Sequence, residues 1–417
     1  MERKNIYICM LAALLSCSDS VKVSRTLDEM PVIFPDYNGV VIPPNIAPLN
    51  FALNGQDAGS CAVFSFGGQQ FEVKGEKGGF VIPPSKWKKL LESAAGDSIQ
   101  VTVQVKQGNE WVAYSPFAIR VAPEKVDSYL AYRLIDPGYE LWNKMGIYQR
   151  DLESYTQTPI IENKMSGNNC VNCHSFCMQS PDKMLFHMRE TFPGTILVDG
   201  DKIEKLNTKT KETISSLVYP SWHPSGKYVA FSVNTTKQAF HLNDKNRVEV
   251  YDEASDVVVY DVEKHEIVTA STIFSKDAFE TFPTFSPDGK TLYFCTAEAR
   301  PIPQEYSEVK YNLCSISFDP ATRTFGTQVD TLYNAKSGGM SASFPRVSPD
   351  GRYLLYTLSG YGNFSIWHKD ADLYMADLQT GMSRPLVEVN SDDVESYHSW
   401  SSNSRWFVFS SRRIDGL

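Results

Sequence analysis

The chain lacks most of the features that would place it quickly. Cysteine is scarce, 8 in 417 residues, which excludes a disulfide-dense scaffold. Positive charge is not in excess: Lys+Arg is 40 against Asp+Glu 49, for a formal net charge of −9. An acidic chain with scattered charge has no footprint for nucleic acid. After the N-terminal segment no apolar run is long enough for a transmembrane helix. Long helical periodicities are few, whereas aromatic and β-branched residues are abundant. An all-β protein is the reading, and the length argues for more than one domain.

At the N-terminus, Arg3 and Lys4 precede an apolar run from Ile6 to Leu15. That run is too short to cross a bilayer and reads as the core of an export signal. Leu14-Leu15-Ser16-Cys17 resembles the lipobox of bacterial lipoproteins. The resemblance implies that Cys17 is the lipidated first residue of the mature chain, after a signal peptide at 1–16. An ordinary cleaved signal with a chance cysteine is the alternative. Residues 17–37 then form a tether, the membrane is a partner through the lipid, and the location is the cell envelope, facing periplasm or exterior.

Residues 38–122 read as one β-domain. "GVVIPP", "LNFAL", "CAVFSF", "QFEVKG", "GFVIPP", "SIQVTVQVK" and "WVAYSPFAIRV" are short strands separated by turn residues. A single helix runs from Ser85, the expected N-cap, to Gly96. Such a strand series implies an immunoglobulin- or fibronectin-like sandwich, with a spacer or binding role. Residues 123–169 read as a connector with a helix from about Tyr139, packed through Trp142, Met145, Ile147 and Tyr148.

The rest of the chain repeats itself. "YPSWHPSGKYVAFS" (219–232), "FPTFSPDGKTLYFC" (282–295) and "FPRVSPDGRYLLYT" (344–357) share one pattern, and "YHSWSSNSRWFVFS" (397–410) is a weaker copy. Each is a hairpin: proline presets φ and Asp-Gly supplies the turn. Two more strands follow each hairpin, which makes four per unit, the content of a propeller blade. "CHSFCMQSPDKMLFHMR" is a further copy, with Phe176 to Pro181 as first strand and turn. These units resemble the TolB-like β-propeller family, over 170–417. The resemblance implies a propeller of five to six blades, the last incomplete because the chain stops after "FVFSSRRIDGL". It implies a shortened version of a longer protein. His223 sits at a turn position and reads as structural.

The copy at 170 opens on "CVNCHSFC". Cys-x-x-Cys-His is the attachment signature of c-type haem. Two thiols add across two vinyl groups and the adjacent histidine faces the iron. Cys170 and Cys173 are the candidate thioether sites and His174 the iron ligand, on the loop that feeds the innermost strand of the first blade. His187 or Met188 is the candidate sixth ligand; they alternate along a strand, so at most one faces the iron. Met165, Met178 and Met184 lie nearby in sequence. Two other readings stay open. One is a Cys170–Cys173 or Cys170–Cys177 disulfide. The other is zinc on Cys170, Cys173, His174 and Cys177, which adjacency of Cys173 and His174 disfavours. Cys61, Cys295 and Cys314 read as buried hydrophobes. No nucleophile–base grouping is apparent, so the chain reads as a non-enzyme. Electron transfer or redox sensing with a redox partner protein is the expected role. A haem-free scaffold docking a protein or glycan is the alternative.

Overall fold

The computed structural model describes residues 21–55, 59–135, 144–210, 213 and 215–414. The lipobox, Cys17 and the expected helix start at Tyr139 lie outside these residues. The chain divides into two compact units, 1–125 and 126–417.

The first unit holds ten strands: β1 (Val23–Thr26), β2 (Ile33–Phe34), β3 (Val41–Ile42), β4 (Phe51–Leu53), β5 (Ser60–Phe66), β6 (Gln69–Gly75), β7 (Gly79–Phe80), β8 (Ser98–Gln107), β9 (Glu110–Ala113) and β10 (Phe117–Val121). Seven form one sheet, ordered β1-β9-β8-β10-β3 with β5 and β6 joined through β8; β2, β4 and β7 form a second. Strand β8 shows why the layers pack. Ile99, Val101, Val103 and Val105 alternate inward and are buried, beside Phe64 of the same sheet and with Phe51 and Phe80 of the second sheet in one core. The helix α1 (Pro84–Ala94) closes the sandwich through Trp87, Leu90, Leu91 and Ala94, one helical face. Its N-cap is Pro83, not Ser85, with Pro84 in the first turn and no side-chain cap. Two prolines preset the entering backbone and Pro84 brings no amide hydrogen to satisfy.

The second unit is a ring of sheets. Residues read as a connector fold instead as β11 (Tyr129–Ile135), β12 (Met145–Asp151) and β13 (Gln157–Glu162), an antiparallel three-stranded sheet. Met145, Ile147 and Tyr148 therefore lie on a strand, not a helix. Ile147 is flanked by Arg133 and Ile161 on its two neighbours, partners that local sequence does not reveal. Four four-stranded blades follow. The first is β14 (Val171–Phe176), β15 (Lys183–Met188), β16 (Gly194–Asp199) and β17 (Lys202–Leu206). The second is β18 (Leu217–Trp222), β19 (Tyr228–Phe240), β20 (Val248–Asp261) and β21 (Glu266–Val268). The third is β22 (Ala278–Phe285), β23 (Thr291–Glu298), β24 (Asn312–Asp319) and β25 (Thr324–Tyr333). The fourth is β26 (Ser341–Val347), β27 (Tyr353–Ser359), β28 (Asp372–Asp377) and β29 (Ser383–Pro385). The hairpin β30 (Glu395–Trp400) and β31 (Phe407–Ser411) is the incomplete fifth copy, with no further partner among the described residues. Strands β12, β14, β18, β22, β26 and β30 pack on one another in that order. Ser402 donates to the Asp127 carboxylate from its backbone, at 2.8 Å, and from its hydroxyl. The last sheet is thereby held against the start of the first. The molecule is all-β, a sandwich followed by a β-propeller.

Side chains within each turn explain the repeat. Ser286 Oγ donates to Asp288 at 2.6 Å, and Asp288 accepts from the Lys290 amide. Ser348 with Asp350, and Ser401 with Asn403, repeat both bonds. The fourth copy is weak only in spelling: Asn403 does the work of aspartate. His223 replaces the serine, accepts from the Ser225 amide at Nδ1 and donates from Nε2 to the Gly289 carbonyl at 3.1 Å. It ties two blades together. A Cβ on Gly289 would stand 2.1 Å from that nitrogen, so glycine is required there.

Candidate functional site

Each innermost strand from β14 to β30 breaks its pairing for two residues. The unpaired dipeptides are Cys173-His174, Tyr219-Pro220, Phe282-Pro283, Phe344-Pro345 and Tyr397-His398. The first residue of each is left-handed, with φ of 51°, 50°, 51°, 52° and 47°. Left-handed backbone is strained for side chains of this size, and strain repeated five times is a feature of the fold. Only Cys170 of the motif therefore lies on the segment that feeds the first blade. Cys173 and His174 lie within β14, at the bulge. The expected alignment, with Phe176 opening the strand, is corrected to one in which Cys173 matches the aromatic residue of the other blades.

Those aromatics touch in blade order. Ring centroids are 4.7 Å apart for Tyr219 and Phe282, 4.4 Å for Phe282 and Phe344, and 5.2 Å for Phe344 and Tyr397. They form an arc along successive innermost strands. Cys173 takes the next place, within electrostatic reach of both Tyr219 and Tyr397. Phe282 and Phe344 are buried, Tyr219 is half-buried and Tyr397 is 42 % exposed. The accessible part of the arc is thus the part beside Cys173, itself half-buried. Sequence reading missed this arc. Its signal was the aromatic that opens each hairpin copy, Tyr219, Phe282, Phe344 and Tyr397, seen as a strand residue and not as a lining.

The remaining motif side chains divide between two faces of β14. His174 faces β11: burial lowers its pKa to about 4, and the Ala131 carbonyl it donates to opposes the shift. Its ring meets Phe176 edge-on at 6.2 Å. It is a neutral imidazole with one nitrogen engaged. Cys170 is buried, accepts from Asn172 Nδ2 at 3.7 Å, and has its thiol pKa raised by burial, with Arg189 and Arg133 opposing. Cys177 belongs to the core between the first and second blades, with Leu185, Leu217 and Trp222. Cys170, Cys173 and Cys177 are all free thiols. Neither disulfide is formed. Among the described residues no three His, Cys, Asp or Glu side chains are grouped to hold a metal ion, so the proposed zinc set is not assembled. Cys61, Cys295 and Cys314 are buried in strands.

His187 and Met188 point to opposite faces of β15, as alternation requires. Met188 packs with Ile147, Val171, Met184 and Phe186. His187 is buried, its Nδ1 lies 3.3 Å from Thr195 Oγ1, and burial lowers its pKa to about 4. Both side chains are engaged. Met165 and Met178 are exposed.

No protein-family model and no curated protein matches the chain. Among solved structures, it is similar to the tricorn protease at 13 % identity and TM-score 0.33, covering 76 % of this chain and 34 % of that one. It is similar to prolyl endopeptidases at 10 % identity and TM-score 0.36, covering 66 % and 36 %. Porphyromonas gingivalis dipeptidyl peptidase 4 shares 11 % identity at TM-score 0.32, covering 68 % and 49 %. The chain spans between a third and a half of the length of these proteins. Likeness at this level says nothing of activity.

A second polar cluster lies where the β19–β20 hairpin runs past its blade. Glu249 accepts from Tyr361 at 2.6 Å and lies 2.8 Å from His368 Nε2. Asp252 accepts from Asn234 at 2.7 Å and Asn363 at 2.6 Å. These bonds pin the hairpin to the loop at 360–371. Phe364 of that loop stands 6.2 Å from Phe344 and 6.4 Å from Tyr397, against the aromatic arc.

Proposed function

We propose that this is an exported, lipid-anchored TolB-like propeller protein carrying one c-type haem, for electron transfer or redox sensing at the cell envelope. Cys170 and Cys173 would hold the haem and His174 would ligate it. A haem supplies one-electron chemistry. The carrying observation is the state of the donors: two unbridged thiols, one of them beside the accessible end of an aromatic arc, and a neutral histidine. Metal-bound histidines give their second nitrogen to a carbonyl or carboxylate, and His174 has that arrangement with Ala131. Unbridged thiols and a neutral imidazole are the donor chemistry that such a group would require. His187, beside Thr195, and Met188, packed in the core of the first blade, would have to leave these contacts to serve as a further ligand.

Mature protein made in a host with haem-attachment machinery is expected to keep a Soret band after denaturation. Cys173→Ala should weaken or abolish it. Lipidation is separable: fatty-acid labelling should be lost in Cys17→Ser.

One observation favours the scaffold reading, in which the propeller docks a protein or glycan. Tyr397-His398 occupies the same bulge as Cys173-His174, with no cysteine near it in sequence. A histidine after the left-handed residue is thus accounted for by blade geometry alone. A colourless product from a haem-attaching host would decide for that reading.

A further inference from the structure

Three arginines, one from the first sheet and two from the first and fourth blades, carry their charge near the accessible end of the arc. Arg346 lies within electrostatic reach of Tyr397 and Cys295, and Arg133 of Tyr397, His174 and Cys170. Arg189 reaches Tyr219 and Cys170, and its backbone amide bonds the Cys170 carbonyl at 3.0 Å. None of the three makes an ion pair among the described residues. Arg346 donates only to the Pro345 carbonyl, at 2.9 Å. The nearby acidic groups are Glu190, exposed beside Arg189, and Asp252, buried and held by two amides. Burial raises the Asp252 carboxyl to about 7, so near neutrality it carries about half a negative charge against three guanidinium groups. A half-buried guanidinium without a carboxylate is costly unless an anion joins it.

From the unpaired arginines, the exposed Tyr397 and the half-buried Tyr219 beside Cys173, we infer that the arc binds the carboxylates of a flat, hydrophobic organic anion. Arg346 and Arg189 grip the carboxylates, and Tyr219 and Tyr397 flank the flat body. Guanidinium groups suit carboxylates because their paired donors match two oxygens at once. In the haem reading these are the propionates. The flat shape of the ligand rests on that reading, whereas the charge argument stands on the arginines.

The test uses full-length mature protein made without haem-attachment machinery, so binding is measured apart from covalent attachment. Metal-free protoporphyrin IX is titrated against tyrosine and tryptophan fluorescence, beside its dimethyl ester, which has the same ring and no charge. The free acid is expected to bind at least tenfold tighter than the ester. Arg346→Gln and Arg189→Gln should each weaken the acid by about tenfold, the scale of one charge-assisted bond, and leave the ester unchanged. Arg189 is exposed, so its variant tests the idea even if the Arg346 variant folds poorly. Arg384→Gln, the same charge change on β29, should bind as wild type. Equal binding of acid and ester, or arginine variants with unaltered affinity, would overturn the inference. Failure of covalent attachment with retained acid binding would overturn only the haem reading.

Discussion

Glu280 lies on β22 with 2 % of its surface exposed, and burial pushes its pKa up to about 8, with Asp256 adding to the rise. The folded chain therefore holds a proton that the unfolded chain, with an ordinary value of 4.5, releases. This contribution to stability is complete below 4.5 and is lost as pH rises through 8. His174 and His187 act in the opposite sense. Both fall to about 4, so the unfolded chain takes up protons below 6.5 that the fold refuses, and stability is lost as pH falls toward 4. Glu280→Gln removes the first effect alone. It is expected to match wild type at pH 4.5 and to gain a few kcal/mol over it, roughly 2–4, by pH 8. Urea unfolding at pH 4.5, 6 and 8 measures this. A variant that tracks wild type at all three would mean Glu280 is charged in the fold. At this scale the sequence made Cys170, Cys173 and His174 legible, because three reactive residues stand side by side. Tyr219, Tyr397, Arg346 and Arg189 were not legible, since three are ordinary strand residues and the fourth directly follows a strand, until four blades bring them together.

Strands β19 and β20 are the longest elements, and their hairpin runs past the blade to reach the loop at 360–371. Two buried carboxylates hold it: Asp252, bonded to Asn363, and Glu249, 4 % exposed, between Tyr361 and His368. Removing Glu249 leaves the buried His368 Nε2 without its acceptor and the half-buried Tyr361 hydroxyl with only the bond from Asn246. Glu249→Ala is expected to cost about 3 kcal/mol in denaturant unfolding. It should also speed amide exchange through the hairpin, from 235 to 252, relative to β23 and β24. Unchanged exchange there would show that the hairpin is held by its apolar contacts instead. The blade hairpins were readable because turn chemistry is local: Pro, Asp and Gly act within four residues. The helix expected through Met145 to Tyr148 failed for the same reason in reverse. Its apolar spacing suits either period, and pairing with β11 and β13 chose the strand.

Among the described residues of the second unit, four blades carry four strands, the first sheet three and the last two. Strand β31 has one paired edge, is largely exposed, and sits near Trp400, whose Nε1 donates to Arg346 O at 3.0 Å. Local opening follows from such a position. Amides of β31 are expected to exchange at least tenfold faster than those of β23 in the same protein; equal protection would mean that the edge is covered in solution. The sequence alone determined the all-β class, the repeat and the thiol–histidine motif, because alternation, turn residues and a contiguous motif are short-range. Tertiary structure decided the rest: that a stretch read as connector is a sheet of the ring, and that Cys173 occupies the place of an aromatic residue. It also decided which arginines stand beside that thiol. These depend on side chains from strands far apart in the chain, and only packing around a common axis makes them neighbours.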